Sequence, residues 1–322
     1  MPEKVLAAVK IAPHQTELRE FAMPDIPADS ALLKVEAAGV CGSDVGGYAR
    51  ALKGGPCIMG HENVGILAKV GSAFSLRWGV KEGDLVALEE YLPCGSCEWC
   101  RIGEYRHCWA TDPTVEGSLR YGGTPLDIAP ALWGGFAQYL YVPFNAPVHK
   151  VPAGATAEEA ALALPMGNGI QWSVITGDAG IGTTVLVQGP GQQGLACVIA
   201  AKAAGAERVI VTGLSRDTAR LNIARELGAD LTIDVEKEDA RTVIMDTTNG
   251  YGVDTSVDTS GAGKASMDLA VNVLKRKAGV MVFQGGETSS LYPDFPLGRV
   301  ARKFVQMRPA RSEEHTSELQ SH

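Results

Sequence analysis

Four of the seven cysteines fall within one short stretch. Cys94, Cys97, Cys100 and Cys108 stand at a C-x2-C-x2-C-x7-C spacing, which lets four sulfurs converge on one tetrahedral ion. Zinc takes four-cysteine sites of this kind readily, and a site closed by four protein ligands is structural rather than catalytic. Gly95, Gly103 and the polar residues between them suit a loop wrapped around a metal better than a packed helix. Disulfides, an iron–sulfur cluster and four unrelated core thiols are the competing readings. Nothing at the N-terminus has the pattern of a secretory signal, so the expected compartment is the reducing cytoplasm and disulfides are disfavoured. Spacing alone does not separate zinc from an iron–sulfur cluster.

A second set of metal-ligand types lies upstream. Cys41 stands in Gly39-Val40-Cys41-Gly42-Ser43-Asp44, and His61 and Glu62 in Gly60-His61-Glu62-Asn63-Val64-Gly65. Thiolate, imidazole and carboxylate can together hold a catalytic zinc with one position left open for water or substrate. Asp44 could accept the other ring N–H of His61, the usual partner of a ligating imidazole. Ser43 could reach the open position and pass a proton from it. Cys57 and Cys197, by contrast, read as buried apolar residues.

The third constellation is Gly189-Pro190-Gly191-Gln192-Gln193-Gly194. An apolar run over residues 183–188 precedes it and a helical pattern follows, the context that makes GxGxxG a dinucleotide fingerprint. Gly189 makes the tight turn, Gly191 admits a pyrophosphate, and Gly194 lets the helix pack close. The next strand, 208–212, ends at Gly213-Leu214-Ser215-Arg216. NAD enzymes usually place Asp or Glu here, about 20 residues on, to hold the ribose 2′-OH. A missing carboxylate relieves repulsion of a 2′-phosphate and Arg216 offers it a bidentate partner, so NADP is favoured over NAD, with Gly213, Ser215 and Arg216 as contacts.

These groups need elements to position them. Residues 4–11 and 30–38 read as strands around a Pro-rich turn, 81–88 as a turn entering a strand, and 134–142 as a strand. The stretch 109–133 has no period, and Trp109 or Trp133 could line a pocket from it. Residues 156–164 predict a helix with Thr156 and Glu159 in a capping box. Helices at 217–227, 238–247 and 264–275 then alternate with strands at 230–234, 253–258 and 278–283, followed by a short helix and a last strand within 297–308. Such alternation predicts a doubly wound parallel sheet, with Gly285-Gly286 at its ligand-binding edge. A chain of 322 residues suits two domains. Its net charge of −8 gives no electrostatic case for nucleic acid, and no apolar run approaches the roughly 20 residues of a membrane helix.

In their order, GVCGSD, GHE and C-x2-C-x2-C-x7-C resemble the zinc-containing medium-chain alcohol dehydrogenase family, over about residues 4 to 310. The resemblance implies an α/β protein in two parts. A GroES-like catalytic domain would span 1–153, with a structural-zinc lobe at about 91–110, and a Rossmann NAD(P)-binding domain would span 154–310. It implies two zinc ions per chain. Cys41, His61 and Glu62 would hold the catalytic one and Cys94, Cys97, Cys100 and Cys108 the structural one, with Ser43 as the proton relay. The implied reaction transfers a hydride between an alcohol or polyol and NAD(P), giving an aldehyde or ketone, with a small-molecule substrate and a homo-oligomer, dimer or tetramer. Two departures stand out. Where relatives bring a further Cys or Glu to the zinc, this chain has Leu164 or Asn168, and Gly46 replaces a second relay His. A same-fold NADPH reductase without catalytic zinc is therefore the alternative, and an inactive zinc- and nucleotide-binding scaffold another. Residues 311–322 match nothing in the family and resemble a translated sequencing adapter, so a non-native tail and a truncated C-terminus are expected.

Overall fold

The computed structural model describes residues 3–52, 54–112, 115, 117–284 and 294–310. Gly285, Gly286 and the segment 311–322 lie outside the described residues. The chain divides into two compact units between Leu164 and Pro165.

The first unit is mostly β. In β1 (Lys4–Ala12) every second residue from Val5 to Val9 is buried, the period of a strand with one face in the core. It pairs antiparallel with β2 (Gln15–Ala22) and with β4 (Cys57–Ile58). The main sheet has five strands in the order β7-β3-β5-β6-β8, comprising β3 (Ala31–Gly39), β5 (Glu62–Val70), β6 (Leu85–Leu88), β7 (Tyr139–Val142) and β8 (Val148–Lys150). Leu33, Leu67, Phe74, Val86 and Leu140 fill its core. Two short helices, α1 (Gly42–Ala49) and α2 (Ser72–Trp78), follow β3 and β5, and the thiol lobe carries one turn of helix, α3 (Glu98–Arg101). Trp133 is buried in this core, donating its ring N–H to Ile128 O at 2.8 Å, whereas Trp109 is exposed.

The capping box at Thr156 is present, with Glu159 N–H donating to Thr156 Oγ1 and Thr156 N–H to Glu159 Oε2. The helix it starts is shorter than the sequence pattern suggests. α4 (Ala157–Ala160) ends before α5 (Ala163–Gly169), which carries Pro165 in its first turn, where a missing N–H costs nothing. A π-helical stretch, Ile170–Ile175, continues from it.

In the second unit six strands run parallel in the order β11-β10-β9-β12-β13-β14. They are β9 (Thr184–Gln188), β10 (Arg208–Gly213), β11 (Leu231–Asp234), β12 (Thr255–Asp258), β13 (Val280–Gln284) and β14 (Gln306–Ala310). This is the 3-2-1-4-5-6 order of a Rossmann fold. Val185, Leu186 and Val187 are all fully buried, as strands covered on both faces must be. α6 (Gln192–Ala203), α7 (Thr218–Glu226), α8 (Ala240–Thr247), α9 (Lys264–Val273) and α10 (Leu297–Lys303) connect them. Among the described residues no helix is long and apolar enough to cross a membrane.

Candidate functional site

Strand pairing builds the upstream metal-ligand set. β3 ends at Gly39 directly opposite Glu62, the first residue of β5. The chain leaving β3 therefore carries Cys41 past His61 and Glu62, and donor atoms of the three lie within 4.8 Å of one another. His61 and Glu62 are buried and Cys41 is half-buried. Cys41 caps the N-terminus of α1, where its own N–H donates to Asp44 Oδ2 at 2.9 Å. The other Asp44 oxygen lies 3.4 Å from His61 Nδ1, and Ser43 Oγ lies 3.5 Å from His61 Nε2. Asp44 thus lies beside one ring nitrogen, as its place in the sequence suggested, while Ser43 lies beside the other rather than only at an open metal position. Burial disfavours the His61 cation, yet hydrogen bonds to Asp44 and Cys41 and the charge of Glu90 outweigh it, raising the ring to about 11. Sequence reasoning missed Glu90; its signal was the acidic pair Glu89-Glu90 just after an apolar strand, where both side chains are buried.

One sulfur, one imidazole nitrogen and one carboxylate fit a zinc ion with an open position. Asn168, one of the two residues that the resemblance puts in place of a further ligand, is fully buried in the second unit, and its amide is not a normal zinc donor.

In the downstream cluster all four thiols are free and their sulfurs lie within 4.8 Å of one another. Cys97 and Cys94 approach Cys100 to 3.5 and 3.9 Å. Four sulfurs about 2.3 Å from one zinc stand about 3.8 Å apart, whereas a disulfide would need about 2.05 Å. A cluster would spread its thiolates over several irons, so these short contacts fit a single ion. Gly95 turns the chain at φ 73°, which aims the N–H groups of Ser96 and Cys97 at Cys94 Sγ. The Ser96 hydroxyl and those two N–H groups lower the Cys94 thiol to about 5. Burial, with Cys97 beside it, pushes Cys100 up to about 12. Crowded thiols resist ionising together without a cation, which is what a metal supplies.

The glycine turn holds the geometry of a phosphate cradle. Gly189 has φ 99° and a Cβ there would meet Ser260 Cα at 2.8 Å. A Cβ on Gly194 would stand 1.9 Å from Gly189 O, so the helix packs against the turn. Gly191, which caps α6, opens on empty space with nothing within 4 Å of its missing Cβ. That opening at the start of a 12-residue helix fits a pyrophosphate. At the end of β10, Gly213 packs on Pro190, Ser215 hydrogen-bonds Asp234 and Glu236, and Arg216 is exposed.

A GroES-like unit followed by a Rossmann unit with a glycine turn is the two-part architecture of alcohol dehydrogenase-like oxidoreductases. Comparison with known proteins carries this to a family. Residues 27–153 match the alcohol dehydrogenase GroES-like domain and residues 194–317 the zinc-binding dehydrogenase domain, the latter running past residue 310 into the segment expected to match nothing in the family. A Mycobacterium tuberculosis protein named as a probable alcohol dehydrogenase is 41% identical over 285 residues, 87% of this chain and 76% of its own length. Erythritol/L-threitol dehydrogenase of Mycolicibacterium smegmatis is 34% identical over 92% of this chain and 80% of its own. The crystal structure of an alcohol dehydrogenase from Thermotoga maritima superposes with a TM-score of 0.85 at 27% identity, covering 98% of this chain and 87% of the other. The chain belongs to the zinc-containing medium-chain dehydrogenase family.

Proposed function

We propose that the protein is a zinc-dependent dehydrogenase that interconverts an alcohol or polyol and its aldehyde or ketone, using NADP in preference to NAD. The observation that carries this reading is the convergence of Cys41, His61 and Glu62 donor atoms within 4.8 Å. The bound zinc would supply Lewis acidity toward a substrate oxygen and the nicotinamide would accept the hydride. Asp44 holds the His61 ring in orientation through Nδ1, and the exposed Ser43 hydroxyl takes the substrate proton and gives its own to water. With Gly46 in place of a second histidine, that route runs through Ser43 and solvent. The four-cysteine set would hold a second, structural zinc, worth about 10–16 kcal/mol of binding free energy in small zinc modules. A polyol substrate is in keeping with the names of relatives, and a dimer or tetramer is part of the same reading, tested by light scattering.

Asn168 favours one rival, a same-fold reductase without catalytic zinc. Zinc content per chain, with an alcohol panel run against both cofactors, separates the two. Two zinc ions and alcohol turnover support the proposal, while one zinc ion and no alcohol turnover support the reductase. Cys41→Ser should abolish activity with the fold intact, and Cys97→Ser should lose solubility. Equal turnover in Cys41→Ser and the parent overturns the site assignment.

A further inference from the structure

The end of β10 carries no carboxylate of its own, and Gly213 stands in a tight place. A Cβ on Gly213 would stand 3.0 and 3.1 Å from Pro190 Cγ and Cδ and 3.1 Å from Leu221 Cδ2. Pro190 belongs to the glycine turn, so a side chain at 213 would press against it and Leu221 would have to give by a few tenths of an ångström. The neighbouring strand supplies carboxylates instead. β11 pairs in parallel with Gly213 opposite Asp234. Asp234 Oδ2 accepts from Ser215 Oγ at 2.7 Å, and Glu236 Oε2 accepts from Ser215 N–H at 2.8 Å. Glu236 N–H in turn donates to Asp234 Oδ1 at 3.1 Å. The next N–H, of Leu214, goes to Asp217 Oδ2 at 3.2 Å. Lys237, 2.8 Å from Asp234, and the Ser215 hydroxyl hold the Asp234 carboxyl below its ordinary range, so it stays ionised.

Both donors that Ser215 could turn toward a phosphate are thus committed to anions; of the exposed cations at this edge, Lys237 is already paired with Asp234, while Arg216 follows Ser215 directly and Glu236 has no cation paired to it among the salt bridges of the described residues. A ribose 2′-hydroxyl can donate to a carboxylate, whereas a 2′-phosphate carries about −1.5 to −2 charges and can only be repelled by one. Building on the dinucleotide-binding reading above, we propose that Asp234 and Glu236 are specificity-determining residues that oppose the 2′-phosphate of NADP against the attraction of Arg216. They hold the preference between the two dinucleotides small.

The test measures dissociation constants of NADP+ and NAD+ separately, by calorimetry on the full chain, so that binding is read without turnover. Glu236→Gln and Asp234→Asn keep side-chain shape and remove charge. Each should shift the NADP/NAD affinity ratio toward NADP by about tenfold, equivalent to about 1.4 kcal/mol. Arg216→Ala should shift it toward NAD by a similar factor. The wild-type ratio should lie within about tenfold of unity. Ratios within twofold of wild type in both amide variants overturn the inference, as does a loss of affinity equal for both cofactors. If the wild type binds both dinucleotides and only the ratios fail to move, the functional reading stands without this inference; binding of neither dinucleotide overturns both.

Discussion

Replacing Gly39 with alanine should evict Glu62 from the metal-ligand set. The two residues face each other across β3 and β5, and the bare α-carbon of Gly39 is what lets the carboxylate lie over the strand. A Cβ there would stand 2.0 Å from Glu62 Oε2 and 3.0 Å from Glu62 Cβ and Cδ. Reaching ordinary van der Waals separation moves the oxygen by more than about 1 Å, beyond the about 0.5 Å a working site tolerates. Gly39 has no left-handed φ, so alanine strains no backbone and the overpacking cost stays within about 1–3 kcal/mol. Losing a partner that merely orients a ligand costs about 10–100-fold in metal affinity; losing a ligand should cost at least that, about 1.4–2.8 kcal/mol. The assay titrates metal-free protein with zinc against a competing chelator, with the four-cysteine lobe of the same chain as internal reference. One affinity should fall and the other hold. In a Glu62→Ala background Gly39→Ala should add nothing, because the cycle then lacks the group it displaces. Two parental affinities in a stably folded Gly39→Ala protein would refute the reasoning, showing that Glu62 does not bind the ion.

His61 makes a pH prediction for the metal-free protein. A folded-state pKa raised from 6.5 to about 11 means the protonated ring contributes stability in full below about pH 6.5, and loses it progressively up to about 11. Denaturation midpoints measured with chelator should fall from pH 7 to pH 10, and Asp44→Asn should flatten that fall; parallel slopes would remove Asp44 as the cause. Lys10 makes a stability prediction. Its buried ammonium donates to Gly47 O and Arg50 O, both at 2.6 Å, closing the end of α1, where Gly47 O also accepts the Arg50 N–H at 3.2 Å. Lys10→Met should cost about 1–3 kcal/mol in urea denaturation, and an unchanged midpoint would show that the Lys10 ammonium does not hold this end of α1.

The second unit was largely legible because its strands are covered on both faces and therefore read as apolar runs. The run at 183–188 became β9, and Gly189 to Gly194 sit where a turn between strand and helix needs them. The first unit hid more. β2, QTELREFA, is an exposed edge strand with no apolar period to find. β5 contains Gly65, whose missing Cβ would stand 2.1 Å from Lys34 O, so a residue that reads as a turn signal is a packing requirement inside a sheet. α1 holds Gly46 and Gly47 within eight residues, a sequence with little helical propensity. Asp44 at one end and Lys10 from another strand hold it in place. In each case a tertiary contact outweighs the local preference.

The same distinction separates the two candidate metal sites. The four-cysteine set is a property of one loop, so spacing alone announces it. Cys41 and His61 are brought together by the pairing of β3 with β5, whose register shifts between Leu32 and Leu33 and again between Val35 and Ala37. A slip of one residue in that ladder would turn Glu62 to the opposite face, and no spacing rule contains that information. The ribose edge obeys the same logic, since the carboxylates beside Ser215 come from β11 and the turn after it rather than from the strand that carries the motif. Chemistry set by a neighbouring strand becomes visible only when the register is known. At this sheet edge the calorimetric test of Asp234 and Glu236 therefore asks whether residues opposite Gly213 bear on cofactor choice as much as those that follow it.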